Sequence, residues 1–320
     1  MEYEVITVAG GKGAGFVDAV GGKAKFNRPN GIIVGRQGNI LVADFANNAI
    51  RRVTPNGEVS TVAGGRAGAR QDGVAGFATF SNPRGLTFDN DGNLYVADFG
   101  NNVLRKIDTT LVVSTLAGSG VKGSSEGQGM TAMFEELRDV TYHAGYIFAA
   151  DRYRVRRVSR QGSVTSWAGG TELGLWDGTA AQARFGTLSA IAADSRGNIF
   201  VVDTDNIAIR YITQLQKVGT LAGADVIPLE GSNTLLQSPV GLAIDQEDNC
   251  WVTDVGDYTV KKITPQGVII QVAGSLTSGY KDGPAQLAQF EYPAGIAVAP
   301  DGRIYIADLA ANALRCLVPV

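Results

Sequence analysis

The chain has 320 residues, with 28 basic and 31 acidic side chains and a net charge of −3. Charge alone therefore indicates neither nucleic acid nor an anionic membrane surface as the main partner. There is no apolar run long enough to span a bilayer, and the N-terminal residues lack the basic flank and apolar segment of a signal peptide. The compartment is left undetermined, and the chain is compatible with a domain of a larger protein.

A motif that returns six times determines the predicted architecture. Its clearest copies are GNILVADFANNAIRRV at 38–53 and GNLYVADFGNNVLRKI at 92–107. The closing aspartates of the copies are separated by 54, 53, 52, 51 and 54 residues. They are Asp44, Asp98, Asp151, Asp203, Asp254 and Asp308. A period near fifty with strand-like content indicates a β-propeller or a related array.

The second repeat divides into four predicted strands. Residues 84–89 are apolar and small, which suits the crowded innermost position of a blade, and residues 93–98 and 103–108 alternate in polarity. Residues 112–118 supply the fourth strand. Four antiparallel strands in each of six repeats predict an all-β, six-bladed β-propeller.

The sixth repeat ends at Val320 without a fourth strand, and a matching segment stands at the other end of the chain. EVITVAGG at 4–11 repeats EVSTVAGG at 58–65 almost residue for residue. We expect the N-terminal strand to complete the last blade, because an unclosed ring would expose two blade faces. Residues 1–320 are accordingly predicted to form one propeller domain.

The connection that leads from one blade to the next has a nearly constant spacing in five of its copies. Counted from the Gly of an Ala-Gly pair, an acid follows eight residues later and a Phe sixteen residues later. The acids are Asp18, Asp72, Glu126, Asp177 and Asp282, and the aromatic residues are Phe26, Phe80, Phe134, Phe185 and Phe290. Because repetition indicates a scaffold role, we expect each acid to cap a short helix and each Phe to pack between blades.

The closing aspartates receive the same structural interpretation. They are expected to accept main-chain hydrogen bonds in the following turn or to pair with a basic residue of the next strand. The basic residues are Arg51, Arg105, Arg156, Arg210, Lys261 and Arg315. The connection into the fifth blade departs from the pattern, since it is three residues shorter and has Leu236 where the others have Phe.

The repeat P-x-G-[ILV]-x-[VF]-D-x-x-G-N-[IL]-[YL]-V-A-D-x-x-N-N-x-[IL]-R-[KR]-[IV] resembles the NHL repeat over the whole chain. Repeats 1, 2 and 6 match well, whereas repeat 3, with DRYRVRRV, lacks the asparagine pair. The resemblance implies a six-bladed propeller that usually serves as a platform for protein or, in some members, single-stranded RNA. Related six-bladed folds include gluconolactonase-like hydrolases, strictosidine-synthase-like proteins and a peptide-amidating lyase, so the resemblance implies fold more firmly than function.

Positions that differ between the repeats are better candidates for a binding site than positions that repeat. The innermost strands are predicted to begin at the channel mouth with Asn30, Arg84, Arg138, Ser189, Val240 and Ala294. On blades 1 to 3 the sequence predicts a basic and aromatic arc at this mouth. Its members are Asn30, Arg84, Arg138, Arg152, Arg154, Phe45 and Phe99.

Such an arc suits a carboxylate or phosphate, an acidic peptide, or stacked single-stranded bases. The alternative is that its arginines are solvated or paired with the nearby acids Glu135, Glu136 and Asp139.

Catalytic and metal sites find little support in the sequence. The single histidine, His143, follows an innermost strand and falls at the end opposite the mouth, which argues against a His-ligated zinc or a Ser-His-Asp triad there. Among the predicted mouth residues only Asn30 offers the kind of oxygen that calcium needs. We therefore predict no catalytic residue, no metal site and no cofactor, while a structural ion in the channel stays compatible with the sequence.

The favoured hypothesis is a non-enzymatic, monomeric binding platform that uses the loop-rich face around the channel. Its expected partner is a protein or peptide, with a small anionic ligand next, and no membrane. The alternative is an enzyme or small-molecule binder of the lactonase or strictosidine-synthase-like kind in the channel mouth. Single-stranded RNA is a weaker alternative because the chain is acidic overall. A broad basic surface would favour the platform, and a deep pocket with a carboxylate of raised pKa would favour the alternative.

Overall fold

The six repeats form the six blades of a β-propeller, which confirms the predicted fold. The computed structural model describes residues 2–65, 70–223 and 226–320. Each blade is an antiparallel sheet of four strands, and four of the blades gain a short fifth strand at the outer edge. No helix among the described residues is long and apolar enough to cross a membrane.

The strands of a blade are numbered here from the channel outward. The innermost strands are Pro29–Val34, Pro83–Phe88, Leu137–His143, Leu188–Ala193, Pro239–Ile244 and Pro293–Val298. The second strands are Ile40–Asp44, Leu94–Asp98, Tyr146–Asp151, Ile199–Asp203, Cys250–Asp254 and Ile304–Asp308. The third strands are Ala49–Val53, Val103–Ile107, Arg154–Ser159, Ala208–Ile212, Thr259–Ile263 and Ala313–Pro319. The outermost strands are Val59–Gly64, Val112–Ala117, Ser163–Ala168, Lys217–Gly223, Ile269–Ala273 and Tyr3–Gly10.

The ring closes through the N-terminal strand, as the sequence predicted. Tyr3–Gly10 pairs antiparallel with Ala313–Pro319, with Val5 opposite Leu317. The side chain of Val5 is fully buried in a cluster that also contains Ile306. The sixth blade therefore combines strands from both ends of the described chain, and no blade is left with an incomplete sheet.

The hydrophobic core lies between neighbouring blades. One cluster joins Phe26 and Val42 of blade 1 to Leu314 of blade 6, and comparable clusters lie at the other blade interfaces. All five Phe residues of the connections are buried, which confirms that they pack between blades. Since burial contributes about 25 cal/mol per Å² of apolar surface, these aromatic side chains contribute strongly to holding adjacent blades together.

Among the described residues, the connections contain no helix capped by the acids that the sequence predicted as N-caps. Where short 3₁₀ helices occur, none carries an acid in its first turn. The 3₁₀ segments of the described residues are Gly21–Lys23, Arg36–Gly38, Phe45–Asn47, Phe99–Asn101, Gly129–Thr131 and Ala285–Leu287. Four connections instead add a two-residue strand to the outer edge of the blade that follows. These strands are Gly73–Val74, Gly127–Gln128, Gly178–Thr179 and Gly283–Pro284.

Four of the five connection acids belong instead to a clamp around a buried arginine of the third strand, and the fifth, Glu126, accepts the Ser166 main-chain N–H. In blade 2, one guanidinium nitrogen of Arg105 lies 2.8 Å from the strand-end Asp98, and the other lies 2.8 Å from Asp72 of the connection. The Thr115 main-chain N–H and hydroxyl both donate to Asp72. The same pair of ion pairs recurs in blades 1, 4 and 6. The predicted pairing of the closing aspartates is therefore confirmed, and the predicted N-cap role is wrong.

In blade 5, whose connection lacks the acid, different residues neutralise the closing aspartate and bind the outermost strand. Lys261 replaces the arginine and contacts Asp254 at 2.7 Å and Asp257 at 2.6 Å. Asn233 accepts the main-chain N–H of Gln271 in the outermost strand at 2.9 Å. The shortened connection is thus accommodated by a smaller cation and a neutral acceptor.

Candidate binding site at the channel mouth

A cavity of about 760 Å³ occupies the centre of the ring. Residues of all six innermost strands line it, so it follows the channel from one end toward the other. The six residues predicted to begin the innermost strands at the mouth all lie on its wall. They are Asn30, Arg84, Arg138, Ser189, Val240 and Ala294. The volume is within the range of about 300–1,000 Å³ that is usual for ligand pockets.

The throat below the mouth is formed by a close approach of neighbouring innermost strands. A Cβ atom on Gly31 would lie 2.1 Å from the carbonyl oxygen of Arg84 in the next blade. A Cβ atom on Gly241 or Gly295 would lie at the same distance from a carbonyl oxygen of the following blade. Blade 3 has Asp139 at the position that is glycine in blades 1, 2, 5 and 6. A carboxyl group therefore lies in the channel wall where those blades have no side chain.

Arg84 stands between two aromatic rings at the mouth. Its guanidinium carbon lies 4.2 Å from the ring centroid of Phe99 and 5.3 Å from that of Phe45. Its Nε is buried without a hydrogen-bond partner, and no carboxylate of the described residues pairs with the group. Burial, together with the like charge of Arg138, lowers the pKa of Arg84 to about 10. The group stays cationic at neutral pH, but burial and the like charge of Arg138 destabilise the cation. A bound anion would stabilise it.

Arg138 lies beside this arrangement and is partly neutralised. One of its terminal nitrogens donates to Glu136 at 2.8 Å, and its guanidinium carbon is 5.9 Å from the Phe99 ring centroid. Burial opposes ionisation of Glu136, but the hydrogen bond and charge of Arg138 hold the pKa of Glu136 below its ordinary value. The mouth thus combines one paired and one unpaired guanidinium on neighbouring blades.

Arg152 and Arg154 do not join the cavity wall. Arg152 pairs with Glu135, and Arg154 lies 3.9 Å from the same carboxylate and is almost fully buried. The cause is the shorter turn between the second and third strands of blade 3. Asp151 lies opposite Arg154 in the sheet, so the turn has two residues, whereas in blade 1 Asp44 lies opposite Ala49 and the turn has four. The structure therefore brings together Asn30, Arg84, Arg138, Phe45 and Phe99, and it holds the two remaining arginines on Glu135.

The far wall of the mouth is largely apolar. Val240, Ala294 and Leu309 line it on blades 5 and 6, together with Tyr292, whose side chain is 39% exposed. On blade 4, Ser189 donates to the carbonyl oxygen of Val240 at 2.8 Å, so this hydroxyl is already engaged in joining two blades. Basic and apolar groups therefore face each other across the channel.

The sequence named several wall residues only in passing or not at all. Arg28 and Asp205 line the cavity from the loops of blades 1 and 4, and Thr204 contacts the Ser189 hydroxyl at 2.8 Å. Arg28 and Tyr292 directly precede a proline that begins an innermost strand. Comparing this position across the blades would have identified both residues from the sequence.

Asp139 is the wall residue with the most perturbed environment. Its two carboxyl oxygens accept main-chain N–H groups from Val140 and from Ile191 of the next blade, each at 2.9 Å. Burial raises the pKa of Asp139 to about 7, and these two hydrogen bonds only partly offset it. The sequence signalled this residue through the repeat register, because it replaces the glycine of the P-x-G motif.

Metal ligands do not converge in the described part of the chain, where no group of three His, Cys, Asp or Glu residues could hold an ion. His143 ends the innermost strand of blade 3, at the end of the channel away from Arg138. Both cysteines, Cys250 and Cys316, are buried free thiols. What the mouth offers chemically is charge recognition, through guanidinium groups, beside an apolar surface.

Comparison with known proteins locates the chain among repeat propellers. The NHL repeat matches residues 26–53, 80–107 and 290–317. Protein SUPPRESSOR OF QUENCHING 1, chloroplastic, of Arabidopsis thaliana is 31% identical over 271 residues, which cover 77% of this chain and 26% of that protein. NHL repeat-containing protein 2 of Homo sapiens is 25% identical over 317 residues, which cover 84% of this chain and 43% of that protein.

A solved structure supports the fold alone. A structural genomics protein of unknown function from Bacteroides thetaiotaomicron superposes with a TM-score of 0.75 at 18% identity, over 99% of this chain and 76% of that one. The curated relatives are much longer than the chain, which spans about a quarter to less than half of their length.

Proposed function

Since the chain carries NHL repeats on a six-bladed β-propeller, we propose that it is a non-enzymatic binding domain. Its partner, a protein or peptide, docks on the face that carries the inter-blade connections, around the mouth of the channel. Positions that repeat in every blade serve the scaffold, and the mouth is where the blades differ. The site residues proposed for this role are Asn30, Phe45, Arg84, Phe99 and Arg138.

The observation that carries the proposal is the state of Arg84. Its cation is half-buried between Phe45 and Phe99, with no carboxylate partner among the described residues. A scaffold arginine in this protein looks different, since Arg105 is fully buried and bound by two aspartates. An unmatched, aromatic-flanked arginine at the centre of a concave surface is typical of residues that dominate binding energy in interfaces.

The same geometry favours a protein partner over RNA. Base stacking needs free aromatic faces, and Arg84 already lies over the rings of both Phe45 and Phe99. The net charge of −3 also gives little long-range attraction for a polyanion.

A small ligand in the channel is the second candidate, and two observations support it. The cavity is large enough for one, and Asp139 has the raised pKa expected of a functional carboxyl group. Against a catalytic role, both of its oxygens already accept main-chain N–H groups. The small-ligand reading is therefore one of binding.

The mouth can be tested by reversing its charge. We expect the Arg84→Glu/Arg138→Glu double variant to lose proteins that the immobilised wild-type domain retains from an extract of the source organism. The matched control is Arg36→Glu/Arg196→Glu, which makes the same charge change at two exposed turns between first and second strands, away from the mouth. Quantitative mass spectrometry of the retained proteins gives the comparison.

The expected outcome is a set of proteins kept by the wild type and the control but reduced about ten-fold or more by the mouth variant, as loss of a central charged contact implies. Equal retention by all three domains would contradict the proposal. Circular dichroism and thermal melting of each variant establish that folding is unchanged.

A further inference from the structure

Two arginines of the cavity wall, Arg28 and Arg84, have no ion pair among the described residues, and Arg84 is the one that is half-buried. Glu136 already neutralises Arg138 at 2.8 Å, whereas no carboxylate of the described residues pairs with Arg84. The Arg84 guanidinium is half-buried between Phe45 and Phe99, and burial together with the neighbouring cation makes the charged group unfavourable. A ligand with an anionic group would supply the missing counter-charge, and its gain would be large because the site is partly desolvated.

One negative charge is enough to balance the site. The charged groups on the cavity wall are three arginines (Arg28, Arg84 and Arg138) and two aspartates (Asp139 and Asp205). Glu136 pairs with Arg138, and Asp139 has a pKa of about 7, so these groups together carry between zero and one net positive charge near neutral pH. A phosphate dianion would bring a second negative charge into a cavity with no cation left to match it. A planar carboxylate also fits the forked donors of a guanidinium.

The rest of the ligand faces apolar surface. Across the mouth from Arg84 the wall consists of Val240, Ala294 and Leu309, with the ring of Tyr292 beside them. The neighbouring hydroxyl of Ser189 donates to the Val240 carbonyl oxygen, so it offers little to a polar ligand. Within about 760 Å³ there is room for an apolar group as large as a benzyl side chain in addition to the carboxylate.

We propose that the channel mouth binds a monoanionic carboxylate carried on an apolar body, with Arg84 holding the carboxylate and blades 5 and 6 holding the apolar group. This inference rests on the proposed function, because it assigns a chemical class to what the same face receives. Two sources share this chemistry, a small organic acid and the C-terminal end of a peptide chain.

The test uses three small probes that share a benzyl group. N-acetyl-L-phenylalanine imitates a peptide C-terminus, N-acetyl-L-phenylalaninamide has the same body without the charge, and 3-phenylpropionate keeps the carboxylate and ring without the amide. Ligand-observed NMR titration of the whole chain measures each dissociation constant. We expect at least one of the carboxylates to bind about ten-fold or more tightly than the amide, because a charge-assisted hydrogen bond is lost in the latter.

Variants assign the effect to the mouth. Arg84→Met is expected to reduce carboxylate binding about ten-fold and to bring it close to that of the amide. Arg138→Met is expected to weaken carboxylate binding less, because Glu136 already engages that group. Arg36→Met, at an exposed turn of blade 1, is the matched control and is expected to bind like the wild type. If Arg84→Met fails to fold, the Arg138→Met series and the wild-type comparison of carboxylate with amide still decide the question.

Every outcome of this experiment decides the question. Binding of N-acetyl-L-phenylalanine but not 3-phenylpropionate supports a peptide end, and binding of 3-phenylpropionate, alone or with N-acetyl-L-phenylalanine, supports a small organic acid. Binding of the amide as tightly as the carboxylates, or binding of none below about 10 mM, overturns the carboxylate proposal. Neither of those results touches the proposed function, which depends on the loss of retained proteins in the charge-reversed variant.

Discussion

Asp139 shows how a single substitution in a repeat can give one blade a property that the others lack. In blades 1, 2, 5 and 6 a glycine stands in this register, because the next innermost strand approaches too closely for a side chain. In blade 3 the carboxyl group of Asp139 fills the space and accepts the N–H of Ile191 from blade 4. The residue therefore joins two blades and exposes a titratable group to the channel.

The raised pKa of Asp139 predicts a pH-dependent stability. Since its pKa is 3.8 when unfolded and about 7 when folded, the folded state holds the proton more tightly, and its stability falls as pH rises from about 4 to 7. The shift corresponds to at most about 4 kcal/mol, less any screening by channel water. In urea denaturation at pH 4.5 and 7.5, the Asp139→Asn variant is expected to lose less stability over this interval than the wild type.

Asp301→Asn, at an exposed turn, is the control for that experiment. It is expected to keep the wild-type difference between the two pH values. An identical pH dependence in the wild type and Asp139→Asn would show that Asp139 does not titrate in this range.

For single residues, the sequence predicted a location well where the residue keeps its place in the repeat, and poorly where a local turn changes in length. Comparing blades placed Asn30, Arg84 and Arg138 at the mouth, and the structure has them there. The same comparison also placed Arg152 and Arg154 in the arc. Their exclusion depends on a turn two residues shorter and on the position of Glu135, which the repeat pattern does not encode.

The ion pairs around the buried cation of the third strand are a polar element that every blade shares. In blade 2, Arg105 joins the end of the second strand, through Asp98, to the incoming connection, through Asp72. The two acids stand 26 residues apart in sequence, and Asp72 precedes Arg105 by 33. The local pattern of an acid before small residues also fits an N-cap, so only the tertiary structure distinguishes the two roles.

Removing the arginine from one clamp is expected to be strongly destabilising. Arg105→Met leaves Asp98 fully buried without its cation, which should cost about 3–5 kcal/mol in the free energy of unfolding. Arg52→Met removes an exposed arginine from the third strand of blade 1 and should change stability by less than about 0.5 kcal/mol. Urea denaturation of both variants gives the comparison, and a loss below about 1 kcal/mol for Arg105→Met would contradict the clamp.

The whole molecule is a nearly symmetric ring with an asymmetric mouth. Symmetry arises because every blade pairs its closing aspartate with a buried cation of the third strand, repeats the Phe of the connection or its Leu236 substitute, and has the same strand order. Asymmetry arises at the positions that begin the innermost strands, where blades 2 and 3 supply arginines and blades 5 and 6 supply Val240 and Ala294. The fold could be predicted from the sequence because periodicity encodes it, whereas the cavity and its charge balance depend on how six strands meet.

The most direct test of the central claim, that this propeller binds at its channel mouth, is site-specific photo-crosslinking. A p-benzoylphenylalanine replaces Ala310, which is exposed on the cavity rim, or Leu215, which is 84% exposed in a turn between third and fourth strands at the other end. Each form is irradiated with the proteins that the wild-type domain retains. We predict adducts with those proteins from position 310 and none from position 215. Adducts from position 215 alone, or equally from both positions, would contradict binding at the mouth.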